Sequence, residues 1–372
     1  MNANILLEII GSDYYTGVPD SLLNPLCDCI MKKYGTNPKH HIIAANEGNA
    51  VAIAAGYYLA TGKIPVVYLQ NSGEGNIINP LTSLLNKEVY GIPTVFLIGW
   101  RGEPGVHDEP QHKFQGKITL KLLEDIDVPY FIIDKNTSEQ ELNNKMEEFK
   151  QNLEAGRQVA FVIRKGALFN KEKIIYQNDY QMTREEVISY IVKYAENDPV
   201  VCTTGKASRE LFEIREHLRM SHEHDFLTVG SMGHASSIAL GIALQKPDQR
   251  IWCIDGDGAA LMHMGALAVI GSIAPKNLVH IVINNGAHES VGGMPTVMHK
   301  INIADLAMKC GYRFCYQILD EEDIDAKLKE VKNNRELSFV EICTRVFSRN
   351  NLGRPTNSQI DNMRLFKNAL EK

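Results

Sequence analysis

The chain is most simply bounded by what it lacks. It has no run of about 18 apolar residues, the length that would span a bilayer. Its first fifteen residues, MNANILLEIIGSDYY, carry an early acidic residue and no basic cluster, so no secretory leader is expected. Basic residues are not in excess: 39 Lys and Arg stand against 45 Asp and Glu, a net charge of -6, which removes the electrostatic footprint of a nucleic-acid binder. The seven cysteines are odd in number and scattered. Cys27 and Cys29 form C-x-C on an expected helix, a poor zinc spacing without a second pair. They read as reduced, mostly buried thiols of a cytoplasmic protein. No Gly-x-Gly-x-x-Gly follows the first strand, which disfavours a nicotinamide-binding fold. Low-complexity segments are absent, and no internal repeat is legible in the letters.

What is present is an ordinary globular mixture, 44% hydrophobic and 23% charged, in 372 residues, enough for two domains. Short apolar runs alternate with longer helical patterns, the signature of parallel α/β sheets. Strands are expected at 41–45, 65–70, 94–99, 130–134 and 159–164, and again at 200–203, 226–229, 251–254, 279–283, 313–317 and 338–343. Helices are expected over 49–61, 76–85, 138–153 and from the N-cap Thr183 to Ala195, with Glu185 and Glu186 in its first turn. A polar, aperiodic stretch separates the halves. The reading is two doubly wound parallel-sheet domains, 1–166 and 183–372, joined by a linker over 167–182.

The most informative segment is Gly256-Asp257-Gly258, followed by a helix, a second apolar strand and the pair Asn284-Asn285. Two neighbouring parallel strands place Asp257 and Asn285 at one edge of a sheet, where α/β folds bind ligands. A carboxylate and an amide are hard oxygen donors suited to Mg²⁺ or Ca²⁺ rather than zinc. The glycines admit a phosphate to the start of the following helix. An EF-hand is excluded, because Ala259 stands at the fifth position from Asp255 and no acidic residue closes the loop. Two further strand-to-helix turns, Thr203-Thr204-Gly205-Lys206 and Gly230-Ser231-Met232-Gly233-His234, have the same phosphate-facing form, although plain turn chemistry reads equally well. In the first half, Glu47 sits just past a strand at the start of an Ala-rich helix, within Glu47-Gly48-Asn49-Ala50. A turn of Asn71-Ser72-Gly73-Glu74-Gly75-Asn76 ends the next strand.

Together these motifs resemble the thiamin-diphosphate enzymes, in the two-domain form of the phosphonopyruvate decarboxylase subgroup, which lacks a middle domain. The resemblance implies a pyrimidine-binding domain followed by a diphosphate-binding domain, with thiamin diphosphate and Mg²⁺ as cofactors. It implies that Asp257, Asn285 and the carbonyl of Ala287 hold the metal. Glu47 then hydrogen-bonds the aminopyrimidine ring. Cofactor contacts are implied at Ser72, Gly73, Thr204, Gly205, Gly230, Ser231, Gly256, Gly258 and Ala259, with Met232 as the apolar prop that bends the cofactor. The turn at 71–76 follows the family pattern loosely, with one residue fewer before Asn76 and Glu74 where Pro is usual. The loop 99–112 resembles the substrate loop of the subgroup. Arg101 is expected to clamp an anion bidentately, His112 with Gln111 to assist proton transfer, and His288 to touch substrate. Met294 stands where the subgroup tends to have Gln, and no contact is assigned to it. The implied reaction is decarboxylation of 3-phosphonopyruvate to phosphonoacetaldehyde and CO₂, in biosynthesis of phosphonates of the 2-aminoethylphosphonate type. Sulfopyruvate, which differs only at the anionic end, is the rival substrate, although relatives that use it often split the two domains between chains, which argues against it here; a non-catalytic cofactor-binding paralogue is the rival of another class. The partner implied is a second copy of the chain, with the active site at the subunit interface.

Overall fold

The computed structural model describes residues 1–372, and the chain divides into two compact units, Met1–Ile175 and Tyr176–Lys372. The first contains β1 (Tyr15–Gly17), β2 (His41–Ile43), β3 (Val66–Gln70), β4 (Thr94–Gly99), β5 (Tyr130–Ile133) and β6 (Gln158–Ile163). These form one parallel sheet in the order β2-β1-β3-β4-β6-β5. The second contains β7 (Val200–Cys202), β8 (Asp225–Leu227), β9 (Ile251–Gly256), β10 (Leu278–Asn284), β11 (Phe314–Ile318) and β12 (Ser338–Cys343), a parallel sheet in the order β11-β12-β10-β9-β7-β8. Read from its other edge, the second sheet has the same order as the first. The repeat that the letters conceal is therefore present in the topology. It escapes the sequence because a fold needs apolar runs at the right places, not particular residues. No helix is long and apolar enough to cross a membrane.

The central strands read as continuous apolar runs because parallel sheets are covered on both faces. In the second unit Trp252 and Ile254 of β9 enter one hydrophobic cluster, while Ile251 and Cys253 enter another, on opposite faces. Helix boundaries follow local chemistry. Thr183 and Glu186 make a reciprocal capping box at the start of Arg184–Ala195, and Val187, Ile188, Ile191, Val192 and Ala195 form its buried stripe. Ser138 and Glu141 do the same for Glu139–Glu154.

The observed elements differ from the expected ones in several places. The short strand β1 was not expected, because Tyr15-Thr16-Gly17 is not an apolar run. The helices Ala3–Ile10 and Pro110–Asp125 were also missed. The helix expected over 76–85 is broken: Glu74–Asn79 is α-helical, and the turns widen to a π-type helix from Pro80, whose nitrogen cannot donate. The start of the stretch read as a linker is docked on the first unit, where Ala167 and Leu168 are buried and the Met1 ammonium donates to the Ala167 carbonyl (2.7 Å).

Arg215 and Asp225 are wholly buried and joined by two hydrogen bonds of 2.9 and 3.0 Å, which tie the helix Lys206–His217 to β8, the strand leading into the 230–234 turn. Removing one partner strands the other charge in the core. Asp225→Ala is expected to cost about 3–5 kcal/mol, against about 1 kcal/mol for loss of the Thr183 cap in Thr183→Ala. Urea denaturation of both variants checks the order.

Candidate functional site

In the second unit the register aligns Ile283 of β10 with Gly256 of β9, so both chains leave the sheet at the same edge. Asp257 opens the helix Asp257–Met262 and is only 5% exposed. Burial pushes its carboxyl up to about 6, despite a 2.7 Å hydrogen bond from the Thr296 hydroxyl. A cation beside it would reverse that shift. Thr296 reaches Asp257 because residues 286–296 fold back as a closed loop. The Thr296 N–H donates to the Gly286 carbonyl, the His288 N–H donates to the Met294 carbonyl, and Ala287 bridges Pro295. Asn285 lies at the root of this loop. Its side-chain oxygen accepts from the Ala287 N–H (3.0 Å) and its NH₂ donates to Glu289 (2.8 Å). One carboxylate, one amide oxygen and the nearby Ala287 carbonyl make an all-oxygen donor set, which fits Mg²⁺ or Ca²⁺ and not zinc.

The two other turns meet close to this edge, since β7 and β9 are neighbours at the point where strand order reverses. The Gly230 N–H donates to the Thr204 hydroxyl (3.1 Å), linking the turn after β7 to the turn after β8. Gly205 (φ 102°) precedes the helix Lys206–His217. In the second turn Gly230, Ser231 and Gly233 all have positive φ, and Ser231 does so without the freedom of glycine. Met232 is half-buried and reaches Gly258, where a methyl group would lie 3.4 Å from its Cε and 3.1 Å from Nδ1 of His288. Met232, Gly258 and His288 therefore share one patch. Burial drives His288 down to about 4, so its imidazole is neutral near pH 7. Met294 is buried in the loop.

In the first unit Glu47 opens the helix Glu47–Thr61 behind the N-cap Asn46, and is 5% exposed. Asn76 donates to its carboxylate (2.6 Å). Gly73 packs so tightly on that carboxylate that any side chain there would displace it. Ser72 is exposed and donates to Gln70 (2.6 Å). Asn71 ties this turn to the 99–112 loop, exchanging hydrogen bonds with the Arg101 backbone (2.8 and 3.0 Å) and donating to Thr119 (2.9 Å).

The loop itself corrects the expectation for Arg101. Its guanidinium is already held bidentately by Asp108 (2.8 and 2.5 Å), with a third bond to Ser21 (3.0 Å). Burial works against the Asp108 charge. Arg101 and the N–H groups of Glu109 and Gly102 outweigh it, and hold the carboxyl well below the usual range. The fork that was to clamp an anion is occupied, because a carboxylate seven residues along the same loop offers the same geometry. His112 is half-buried with Nδ1 unpartnered, and burial, then the charge of Arg101, keeps it neutral. Gln111 is half-buried and His107 exposed.

Four residues escaped the sequence reading: Asp108, Glu289, Thr296 and Glu74. The first three are ordinary polar loop residues whose partners lie across a loop or on another strand-to-helix connection. Glu74 had a signal, as a carboxylate where the resemblance calls for Pro. It is buried, accepts from Gln115 (3.1 Å), and burial pushes its carboxyl up to about 8.

Two family profiles match the chain: the thiamine pyrophosphate enzyme N-terminal TPP binding domain over residues 4–123, and the corresponding C-terminal TPP binding domain over residues 203–342. Among curated proteins, the phosphonopyruvate decarboxylase of Streptomyces viridochromogenes is 32% identical over 96% of this chain and 91% of its own length. That of Streptomyces hygroscopicus is 32% identical over 93% and 87%. The sulfopyruvate decarboxylase of Methanosarcina acetivorans is 29% identical over 91% and 89%. This last relative matches both halves as one chain, so an undivided chain does not argue against sulfopyruvate, as the sequence reading supposed.

The raised pKa of Glu74 sets a pH dependence. The folded chain holds this carboxyl neutral, so the stability linked to it is fully present below the ordinary Glu value and is lost as pH rises through about 8. Glu74→Gln removes that loss. Its melting temperature relative to wild type should rise from about pH 6 to about pH 9. Parallel melting curves with no widening gap would show that Glu74 is charged in the fold.

Proposed function

Because the chain belongs to the thiamine pyrophosphate enzymes, in the group of the phosphonopyruvate decarboxylases, we propose that it decarboxylates 3-phosphonopyruvate to phosphonoacetaldehyde and CO₂ in phosphonate biosynthesis. The carrying observation is the near full-length match to two such enzymes, in a chain that retains Glu47, Asp257 and Asn285. Thiamin diphosphate, when bound, supplies an electron sink for the pair left as CO₂ departs from a 2-oxo acid. The chain supplies the rest. Asp257, Asn285 and the Ala287 carbonyl hold Mg²⁺. The turns at 204–205 and 230–231, with Gly256, Gly258 and Ala259, receive the diphosphate on backbone N–H groups. Met232 props the bend. Glu47 holds a proton at the aminopyrimidine ring, and Ser72 and Gly73 line that side.

Arg101 enters this reading in a changed role. Paired with Asp108, it orders the 99–112 loop, and it meets the phosphonate of a substrate only by giving up the Asp108 carboxylate. His112 and His288, both neutral, are hydrogen-bonding groups for the substrate or a proton in transit. The active site is completed by a second copy, which brings Glu47 of one chain to Asp257 and Asn285 of the other.

Sulfopyruvate remains the second reading, favoured by the full-length likeness to the archaeal enzyme. The two substrates differ only at the anionic end, and a tenfold preference takes about 1.4 kcal/mol of differential transition-state binding. CO₂ release from phosphonopyruvate, sulfopyruvate and pyruvate, with thiamin diphosphate and Mg²⁺ present, is expected to favour phosphonopyruvate. A preference for sulfopyruvate would replace the first reading with the second. Glu47→Gln should lower turnover by about 10²–10⁴ while leaving cofactor binding in place. Sizing alongside activity should show a dimer or larger, and a fully active monomer would overturn the shared site.

A further inference from the structure

Resting on that reading, we infer that Glu289 is a positioning residue for the metal site: it fixes the Asn285 side-chain amide so that its oxygen, and not its NH₂ group, faces the cation. An amide has two faces that differ little in shape, and only one of them binds a metal. A carboxylate accepts hydrogen bonds and never donates them. Glu289 Oε2 lies 2.8 Å from Asn285 Nδ2, so the NH₂ group is committed to that side. The Ala287 N–H, 3.0 Å from the amide oxygen, enforces the same orientation from the other side and leaves that oxygen a lone pair.

Glu289 is itself clamped. Arg184 Nη1 lies 2.9 Å from Oε2 and Lys206 Nζ 2.9 Å from Oε1. Arg184 is held in turn by both oxygens of the buried Glu210 (2.6 and 2.7 Å), and Lys206 donates to Ser348 (2.6 Å). Two cations face two carboxylates, so the network carries no net charge. It therefore adds geometry at the metal site and little long-range attraction. It also connects the loop after β10 to the first residues of two helices, Arg184–Ala195 and Lys206–His217, the second of which follows the Thr204-Gly205 turn. Both ends of the proposed diphosphate cradle are thereby referred to one carboxylate.

Removing the side chain leaves Arg184 paired with Glu210 and Lys206 bonded to Ser348, so Glu289→Ala is expected to fold. The test is a calorimetric titration of Mg²⁺ into apoprotein in the presence of saturating thiamin diphosphate, with melting of the apoprotein as the folding control. Groups that orient a metal ligand are worth about 10–100-fold in metal affinity. Glu289→Ala should weaken Mg²⁺ by that factor, with its apo melting temperature close to wild type. Glu289→Gln keeps an oxygen that accepts from Asn285 and should recover most of the loss. Wild-type Mg²⁺ affinity in Glu289→Ala, or equal losses in the two variants, would overturn the role. A wild-type protein that binds thiamin diphosphate without any Mg²⁺ dependence would instead overturn the proposed function on which the role rests.

Discussion

Asp257 is a carboxylate kept out of water at the end of a parallel strand, and much of the second unit answers that constraint. A buried carboxylate must find donors or a cation, or else take up a proton. Here one donor comes from Thr296, which belongs to a loop that leaves the sheet from the neighbouring strand and returns. That return closes residues 286–296 and sets Asn285 and Ala287 at its root. It also brings His288 against Gly258. The residues proposed to hold a cation, the loop proposed to meet the substrate and the glycine proposed to face the diphosphate are thus packed and hydrogen-bonded together. The Thr296 hydroxyl and the Ala287 N–H both tie the loop to Asp257.

The first unit handles its carboxylates differently. Glu47 lies at a helix N-terminus with an amide donor and a glycine packed on it, an arrangement that leaves a carboxylate room for one further partner. Glu74, two residues before Asn76, has little such support, and burial makes it a neutral acid near pH 7. Arg101 and Asp108 show the opposite limit, where a nearby guanidinium makes the charged form easy to keep. Glu74 and Asp108 thus sit in opposite protonation regimes, set by burial and by partners that sequence spacing does not reveal.

Much of the architecture was legible in the letters because parallel strands buried on both faces must be apolar runs, and helices must carry an apolar stripe and a cap. The strand 338–343 and the helix begun by Thr183 follow from those rules alone. The strand β1 did not, since Tyr15-Thr16-Gly17 is not an apolar run. The break at Pro80 was present as a letter, but its consequence depends on packing around it.

The candidate site divides in the same way. Asp257, Asn285 and Glu47 stand out in the sequence because each follows an apolar strand, and strand ends lie on one edge of a parallel sheet. What Arg101, His288 and Glu289 do was decided only by the tertiary structure. A side chain's chemistry depends on what faces it, and Asp108, Gly258 and Asn285 reach them through loop closure rather than through any regular repeat. The sequence by itself determined two doubly wound sheets and the residue types at their working edges. Only folding decided which of those residues are charged, which are already paired and which way an amide points, because burial and hydrogen-bond partners set all three.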